Sequence, residues 1–309
     1  MSLDPIAGDA PRDPEELEAS AETVGADIDA GTGMGPVYLT VSDLERSLGY
    51  YRTSIGLDVL QGGENGGDAR LGAGARELLV LTETPGAAPS HGYTGLFHFA
   101  LLVPGRDDLA RWLAHAARDR VPLTGMSDHY VSEALYLRDP DGHGIEIYAD
   151  RPREVWQGQV DVRMTTEPLD VHDLLGELDD PETEPFPGMA GGTIMGHVHL
   201  KVSEVDSTVG FYRDVLGFGL MAQLGAQAAF LSAGGYHHHL GANTWESAGA
   251  GPPPEHSAAL RKATIVLPDA PAREHVLGRI DGAGHAIEDD DGTPVVRDPS
   301  GNRIALLVA

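Results

Sequence analysis

The sequence predicts an α+β protein assembled from four βαβββ modules, and three observations carry that prediction. The segments Gly35 to Leu60 (GPVYLTVSDLERSLGYYRTSIGLDVL) and Gly196 to Met221 (GHVHLKVSEVDSTVGFYRDVLGFGLM) share nine identities without a gap, at an offset of 161. The turn Asp139-Pro140-Asp141-Gly142 recurs as Asp298-Pro299-Ser300-Gly301, at an offset of 159. Each repeat opens with period-2 alternation and passes into helical spacing, which is the sign of a strand feeding a helix.

The elements follow in order. Residues 1–32 are acidic and lack sustained apolar periodicity, apart from a short helical stretch at Pro14 to Ala21, and read as a solvated, disordered arm. Pro36 to Val41 alternates as a strand. Ser42 is a natural N-cap, and Leu44, Leu48 and Tyr51 mark a helix over Asp43 to Ile55 that stops at Gly56. Short strands at Asp58 to Gln61, Ala69 to Leu71 and Glu77 to Leu81 complete module 1. The glycine-rich piece Gly62 to Gly67 lacks the strand-to-helix context of a phosphate loop and reads as a flexible turn. Module 2 runs from a strand at Leu96 to Val103 through a helix at Arg106 to Asp119, with Leu109, Leu113 and Ala116 on one side, to strands at Glu133 to Arg138 and Gly144 to Tyr148. A Pro- and acid-rich connection with a short helix at Asp170 to Leu178 leads to modules 3 and 4. The modules fall at about 35–85, 93–150, 193–247 and 258–308. The domain division is therefore an arm at 1–32, a first domain at 33–150 holding modules 1 and 2, a linker at 151–192, and a second domain at 193–309 holding modules 3 and 4.

Composition excludes several function classes. The formal charge of −27, with Lys201 and Lys262 the only lysines, repels nucleic acid and anionic membranes. No apolar run is long enough to span a bilayer, and the N-terminus lacks the basic and apolar regions of a signal peptide, so a cytoplasmic location is expected. The acidity resembles that of surfaces adapted to salt-loaded cytoplasm, where ions screen the self-repulsion. Cysteine is absent, which leaves His, Asp and Glu as the strong metal ligands. Among these, Gly196-His197-Val198-His199-Leu200-Lys201-Val202 puts two imidazoles on one face of a strand, half of a metal site.

The four modules, the Tyr-Arg pairs near the helix ends (Tyr51-Arg52, Tyr212-Arg213) and the Asp-Pro-x-Gly turns resemble the vicinal oxygen chelate superfamily. Within it, Gly196 to Val202, Gly235 to Trp245 and Met164 to Asp170 are similar to the two-domain catechol 2,3-dioxygenase-like branch. The resemblance implies that modules combine in pairs into cup-like barrels, with a divalent metal held by opening-strand and closing-strand residues. The ligand slots then fall on Pro36 in module 1, His98 and Glu146 in module 2, His197 in module 3, and Lys262 and Ala305 in module 4. Pairing modules in chain order leaves neither barrel with a complete site. Pairing 2 with 3, and 1 with 4, brings His98, Glu146 and His197 into one barrel and leaves the other without ligands. Two histidines and a carboxylate leave three positions open on an octahedral ion, as non-haem Fe(II) oxygenases need. Strand parity puts His98, Ala100 and Leu102 on one face and Phe97, Phe99 and Leu101 on the outward one. His199, on the same face as His197, is the fallback ligand.

The resemblance also proposes a supporting cast. His237-His238-His239 would lie on the closing strand of module 3, where His238 matches an acid-base histidine and His239 could supply a fourth ligand. His129 and Tyr136, ahead of Glu146, match the substrate-contacting pair. Trp245 and Asn243 would shape the cavity wall, while His143, in its turn, reads as solvated. The implied function is Fe(II)-dependent extradiol cleavage of a small aromatic diol with O2, by a chain with no nucleic-acid or membrane partner that could form a homodimer. Mn(II), Ni(II) and Zn(II) are the other metals such a triad would take. Two rivals share the scaffold: a glyoxalase-like isomerase or lyase that wants a fourth protein ligand, and a small-molecule-binding resistance-type protein that wants none.

Overall fold

A computed structural model describes residues 26–63 and 67–309. The Pro14 to Ala21 helix, most of the acidic arm and the centre of the Gly62 to Gly67 turn lie outside the described residues. From residue 27 the chain is docked: the backbone N–H groups of Asp27 and Ile28 donate to the Gly217 carbonyl at 2.8 and 2.9 Å, and Ile28 is buried. The described end of the arm is thus anchored at Ile28 and Thr32, while its other residues are exposed.

Two large sheets carry the architecture. One runs, in spatial order, through Ile287–Asp290, Thr293–Arg297, Arg303–Val308, Leu260–Leu267, Val37–Val41, Arg76–Glu83, Ala69–Ala73 and Asp58–Gly62, which are modules 4 and 1. The other runs through Glu167–Pro168, Gly125–Asp128, Ser132–Arg138, Gly144–Asp150, Gly95–Leu102, Ile194–Lys201, Leu240–Asn243, Ala228–Ser232 and Gly219–Leu224, which are modules 2 and 3 with one short strand, Glu167–Pro168, added from the connection between them. The modules pair as 2 with 3 and 1 with 4, as the distribution of ligand slots requires. Within each module the opening and closing strands are parallel neighbours. Between modules 2 and 3 the two opening strands run antiparallel, with His199 across from His98 and His197 across from Ala100.

The repeated motifs tie together the modules that the sheets do not. Tyr51, on the opening helix of module 1, donates its hydroxyl to Asp139 in the module 2 turn at 3.0 Å, and Tyr212 does the same to Asp298 in module 4 at 3.2 Å. Ser42 belongs to the same staple. Its hydroxyl donates to Asp141 at 2.6 Å, so Asp43 caps the helix instead, accepting from the Arg46 N–H. Both opening helices widen into a π-helical last part, Tyr51–Ile55 and Gly210–Leu216, before a left-handed glycine ends them at Gly56 and Gly217. His143 is buried, with Nε2 3.0 Å from the Thr40 carbonyl, so it is not the solvated turn residue that its position suggests.

The helix Arg106–Asp119 covers the outer face of the second sheet. Its Leu109, Trp112 and Leu113 share one core with Phe99, Leu101, Ile145 and Ile147, the odd-numbered residues of the strands beneath. That burial, at about 25 cal/mol per Å² of apolar surface, holds the strands in a register that turns the even-numbered residues inward. Phe97 departs from the pattern: it packs against His199 and Trp245, at ring separations of 5.3 and 5.1 Å, at the end of the cup. Among the described residues no helix is long and apolar enough to cross a membrane.

Candidate metal centre

The parallel pairing of Gly95–Leu102 with Gly144–Asp150 places Glu146 beside Ala100, two residues along from His98 on the same face. The antiparallel pairing brings His197 over from module 3. Three atoms that could hold a metal converge: His98 Nε2 is 3.1 Å from Glu146 Oε2, His197 Nε2 is 3.0 Å from the same oxygen, and the two nitrogens are 3.3 Å apart. All three side chains are buried, and they form the one cluster of this kind among the described residues.

The donor chemistry fits a divalent cation. With ligand bonds of about 2.1 Å, adjacent donors stand roughly 3.0 Å apart around an octahedral ion and roughly 3.4 Å apart around a tetrahedral one, and the observed spacings of 3.0 to 3.3 Å fall within that range. Burial alone would push the Glu146 carboxyl up, but the adjoining His197 and His98 outweigh it and hold it well below the usual carboxylate range. Burial pushes His197 down to about 4 despite the opposing pull of Glu146, so its imidazole is neutral at pH 7 with a lone pair to offer. A buried carboxylate is costly unless a cation completes its site. His197 Nδ1 is buried without a hydrogen-bond partner among the described residues, so Glu146, and not a backbone acceptor, sets the orientation of this ring.

The position equivalent to Glu146 in module 3 is Gly241, across from His199 as Glu146 is across from Ala100. A Cβ there would meet the His199 ring at 2.7 Å, so His199 occupies the space that a fourth ligand from this strand would need. Its ring lies 5.0 Å from that of His98 and 5.5 Å from that of Trp245, and burial, reinforced by His98, holds it neutral. His199 is packing beside the triad and supplies none of its converging atoms. Gly196 is needed for a related reason. A Cβ at Gly196 would lie 1.9 Å from the Tyr148 hydroxyl, whose ring covers His197 at 4.9 Å.

The three consecutive histidines sit in the loop before the Leu240–Asn243 strand, not on the strand, so alternation does not govern them. The His238 ring lies against that of His197, with centroids 4.1 Å apart and the planes tilted by 48°, and its Nδ1 is 2.9 Å from Nδ1 of His237. His237 Nε2 in turn is 2.9 Å from Asp150 Oδ1. His239 points elsewhere, its Nδ1 accepting from the Ala233 N–H at 3.1 Å, and burial pushes it down to about 3. Its expected use as a fourth ligand has no place in this geometry. On the opposite side, Tyr136 is directly across the ladder from Glu146, with its ring 5.7 Å from that of His98, and its hydroxyl is 2.6 Å from His129 Nε2. His129 Nδ1 lies 2.9 Å from the Thr165 carbonyl, which fixes Nδ1 as the protonated nitrogen and Nε2 as the acceptor of the Tyr136 proton. Tyr148 and Asp150 were not singled out from the sequence. The signal was there in parity, since they follow Glu146 by two and four residues on one strand.

In the other sheet the equivalent slots hold Pro36 and Val80 in module 1 and Lys262 and Ala305 in module 4. Lys262 is spent on Asp290 at 2.8 Å and on the face of Tyr38 at 4.3 Å. A model of the Glyoxalase/Bleomycin resistance protein/Dioxygenase superfamily matches residues 33–147 and 194–306, the two double modules. The chain belongs to this superfamily. Among curated superfamily relatives, it is 42% identical over 288 residues to "Catechol-2,3-dioxygenase" of Bacillus subtilis (strain 168), covering 91% of this chain and 99% of that one. A solved structure from Bacillus subtilis superposes with a TM-score of 0.61 at 14% identity, over 94% of this chain and 86% of that one. Glyoxalase I from Zea mays superposes with a TM-score of 0.55 at 18% identity, over 90% and 92%. At such identities these two likenesses speak for the superfamily fold alone.

Proposed function

We propose that this chain is an extradiol ring-cleaving dioxygenase that takes a catecholic diol and O2, with Fe(II) as its working metal, His98, Glu146 and His197 as the ligands, and His238, His129 and Tyr136 as the acid-base groups. The observation that carries the reading is the buried triad with its fourth slot closed by Gly241 and His199. Three protein ligands leave room for a chelating diol and O2 together, which a four-ligand isomerase or lyase site would not. The 42% identical relative supports the same choice. A resistance-type binding protein has no use for a buried carboxylate between two imidazoles.

When bound, the metal supplies Lewis acidity toward the diol and a path for electrons between diol and O2. The chain supplies the rest. His238 lies over the ligand His197, held neutral by burial and then by that neighbour, and can accept a hydroxyl proton from the diol. Tyr136 faces the cup from the other side. Its proton is already directed to His129, so its oxygen can accept from a second hydroxyl while the Tyr136–His129 pair passes the proton outward. Once His129 is protonated, Tyr136 becomes a donor to the oxyanion that develops on ring opening. Phe97, Phe230 and Trp245 line the cup around His199 and His238 and keep bulk water away from the reacting atoms.

The test is anaerobic reconstitution with Fe(II), then admission of O2 in the presence of catechol. Stoichiometric O2 uptake with a yellow ring-fission product is expected. Absence of turnover on every catechol tried, with Ni(II) or Zn(II) retained by the isolated protein, would sink the dioxygenase reading in favour of the glyoxalase-like one.

A further inference from the structure

We propose that Asp150 and His237 are a positioning pair for His238, fixing its proton on Nδ1 so that Nε2 is presented as the proton acceptor. The inference rests on the reading of His238 as an acid-base group and adds to it two residues outside the metal triad. Four contacts carry it. Asp150 Oδ1 is 2.9 Å from His237 Nε2, and His237 Nδ1 is 2.9 Å from His238 Nδ1. The same Asp150 oxygen accepts from the Tyr236 hydroxyl at 3.1 Å, and the Tyr148 hydroxyl stands 2.8 Å from that of Tyr236.

The direction of each bond follows from donor and acceptor capacity. An ionised carboxylate accepts only, so His237 must carry its proton on Nε2 to meet Asp150. With the ring proton of His237 directed at Asp150, its Nδ1 is the acceptor toward His238, which requires the proton of His238 to sit on Nδ1. One nitrogen of His238 remains, Nε2, with its lone pair uncommitted to this chain of contacts. The carboxylate has chosen the tautomer of an imidazole two groups away, much as a buried aspartate orients the histidine of a hydrolase triad. The backbone makes the arrangement cheap to build. Glu146, Tyr148 and Asp150 alternate onto one face of the closing strand of module 2, so one strand offers the metal a ligand and the tautomer relay its anchor. Module 3 supplies the two histidines from its loop. His237 is fully enclosed, with Tyr236 at a ring separation of 3.9 Å and Trp156 at 5.6 Å, which restricts it to this orientation.

The experiment uses the full chain labelled with 15N histidine, without metal, at pH 7, and reads the protonated nitrogen of His238 from long-range proton–nitrogen correlations. Nδ1–H is expected in the wild type and a shift toward Nε2–H in Asp150→Ala. In the Fe(II)-loaded enzyme, Asp150→Ala should lower kcat about 10- to 100-fold, with KM for catechol within about twofold and metal content unchanged. Asp150→Glu, which keeps the carboxylate, should recover part of the loss. A wild-type His238 protonated on Nε2 would overturn the proposal without any variant, and so would an Asp150→Ala enzyme with unchanged tautomer and kcat. A wild type that turns over no catechol would defeat the dioxygenase reading and still leave the tautomer measurement to decide this one.

Discussion

Tyr136 stands directly across the antiparallel ladder from Glu146, so the phenol and the carboxylate project into the same cup from adjacent strands. The ten-residue spacing between them is the length of the hairpin that joins the two strands, and it fixes the distance from ligand to phenol through backbone hydrogen bonds instead of side-chain packing. Tyr136→Phe should therefore keep the metal and lower kcat by about two orders of magnitude, the usual worth of one placed proton donor. Its coupling to His129 makes a sharper test. His129→Gln should cost about as much, and the double variant little more than either alone, because the two residues act as one proton path. Additive losses in steady-state kinetics would separate them.

Acid should weaken the apo protein. In the unfolded chain imidazoles titrate near about 6.5, whereas burial lowers His197 to about 4 and His239 to about 3. Between these values and about 6.5 the unfolded state binds the extra protons, so stability rises with pH across that window and is lost as pH falls through it. Glu146, held low, acts in the same sense, its stabilisation being lost as pH drops below its unfolded value. Urea midpoints of the metal-free chain should decline from pH 7 to pH 5, with each histidine contributing up to about 1.4 kcal/mol per pH unit. A flat profile would mean that these rings are solvated.

Gly196 tests the wall behind the ligand. In Gly196→Ala the new methyl must displace the Tyr148 hydroxyl, now 1.9 Å from where it would stand, or push the strand that carries His197. Overpacking of this kind costs about 1–3 kcal/mol, and the denaturation midpoint should fall while metal affinity weakens. Unchanged values for both would show that Tyr148 is free to move.

Charge gives a fourth test. With a formal charge of −27, self-repulsion should destabilise the chain at low ionic strength. Raising KCl from about 0.05 to about 1 M shortens the Debye length from roughly 14 to 3 Å, and the melting temperature should climb. Insensitivity to salt would remove the case for adaptation to a salt-loaded cytoplasm.

The sheet pairing was legible in the sequence because a repeat with unequal slots is a constraint. Pro36, Lys262 and Ala305 cannot complete a site, and the two modules that retain ligands had to meet. Local detail was harder to see. The histidine run looked like strand because Leu240 follows it, yet Gly234 and Gly235 both adopt positive φ and turn the chain before the ladder begins. The Gly125–Asp128 strand was not anticipated, since Gly, Ser and Asp are poor strand formers and pairing with Ser132–Arg138 and Glu167–Pro168 creates it. Ser42 looked like a cap because no sequence pattern announces a partner such as Asp141, 99 residues away. The role of Gly241 needed the register, because in a sequence a glycine in a strand says nothing of the ring that fills its space.

The central claim is that modules 2 and 3 build one metal centre and modules 1 and 4 build none. Iron content per chain after anaerobic Fe(II) loading and desalting tests it most directly, measured for the wild type and for His98→Ala, Glu146→Ala, His197→Ala and Lys262→Ala. The account predicts one iron per chain in the wild type and in Lys262→Ala, and essentially none in the three triad variants. Two irons per wild-type chain, or full retention in His197→Ala, would contradict it.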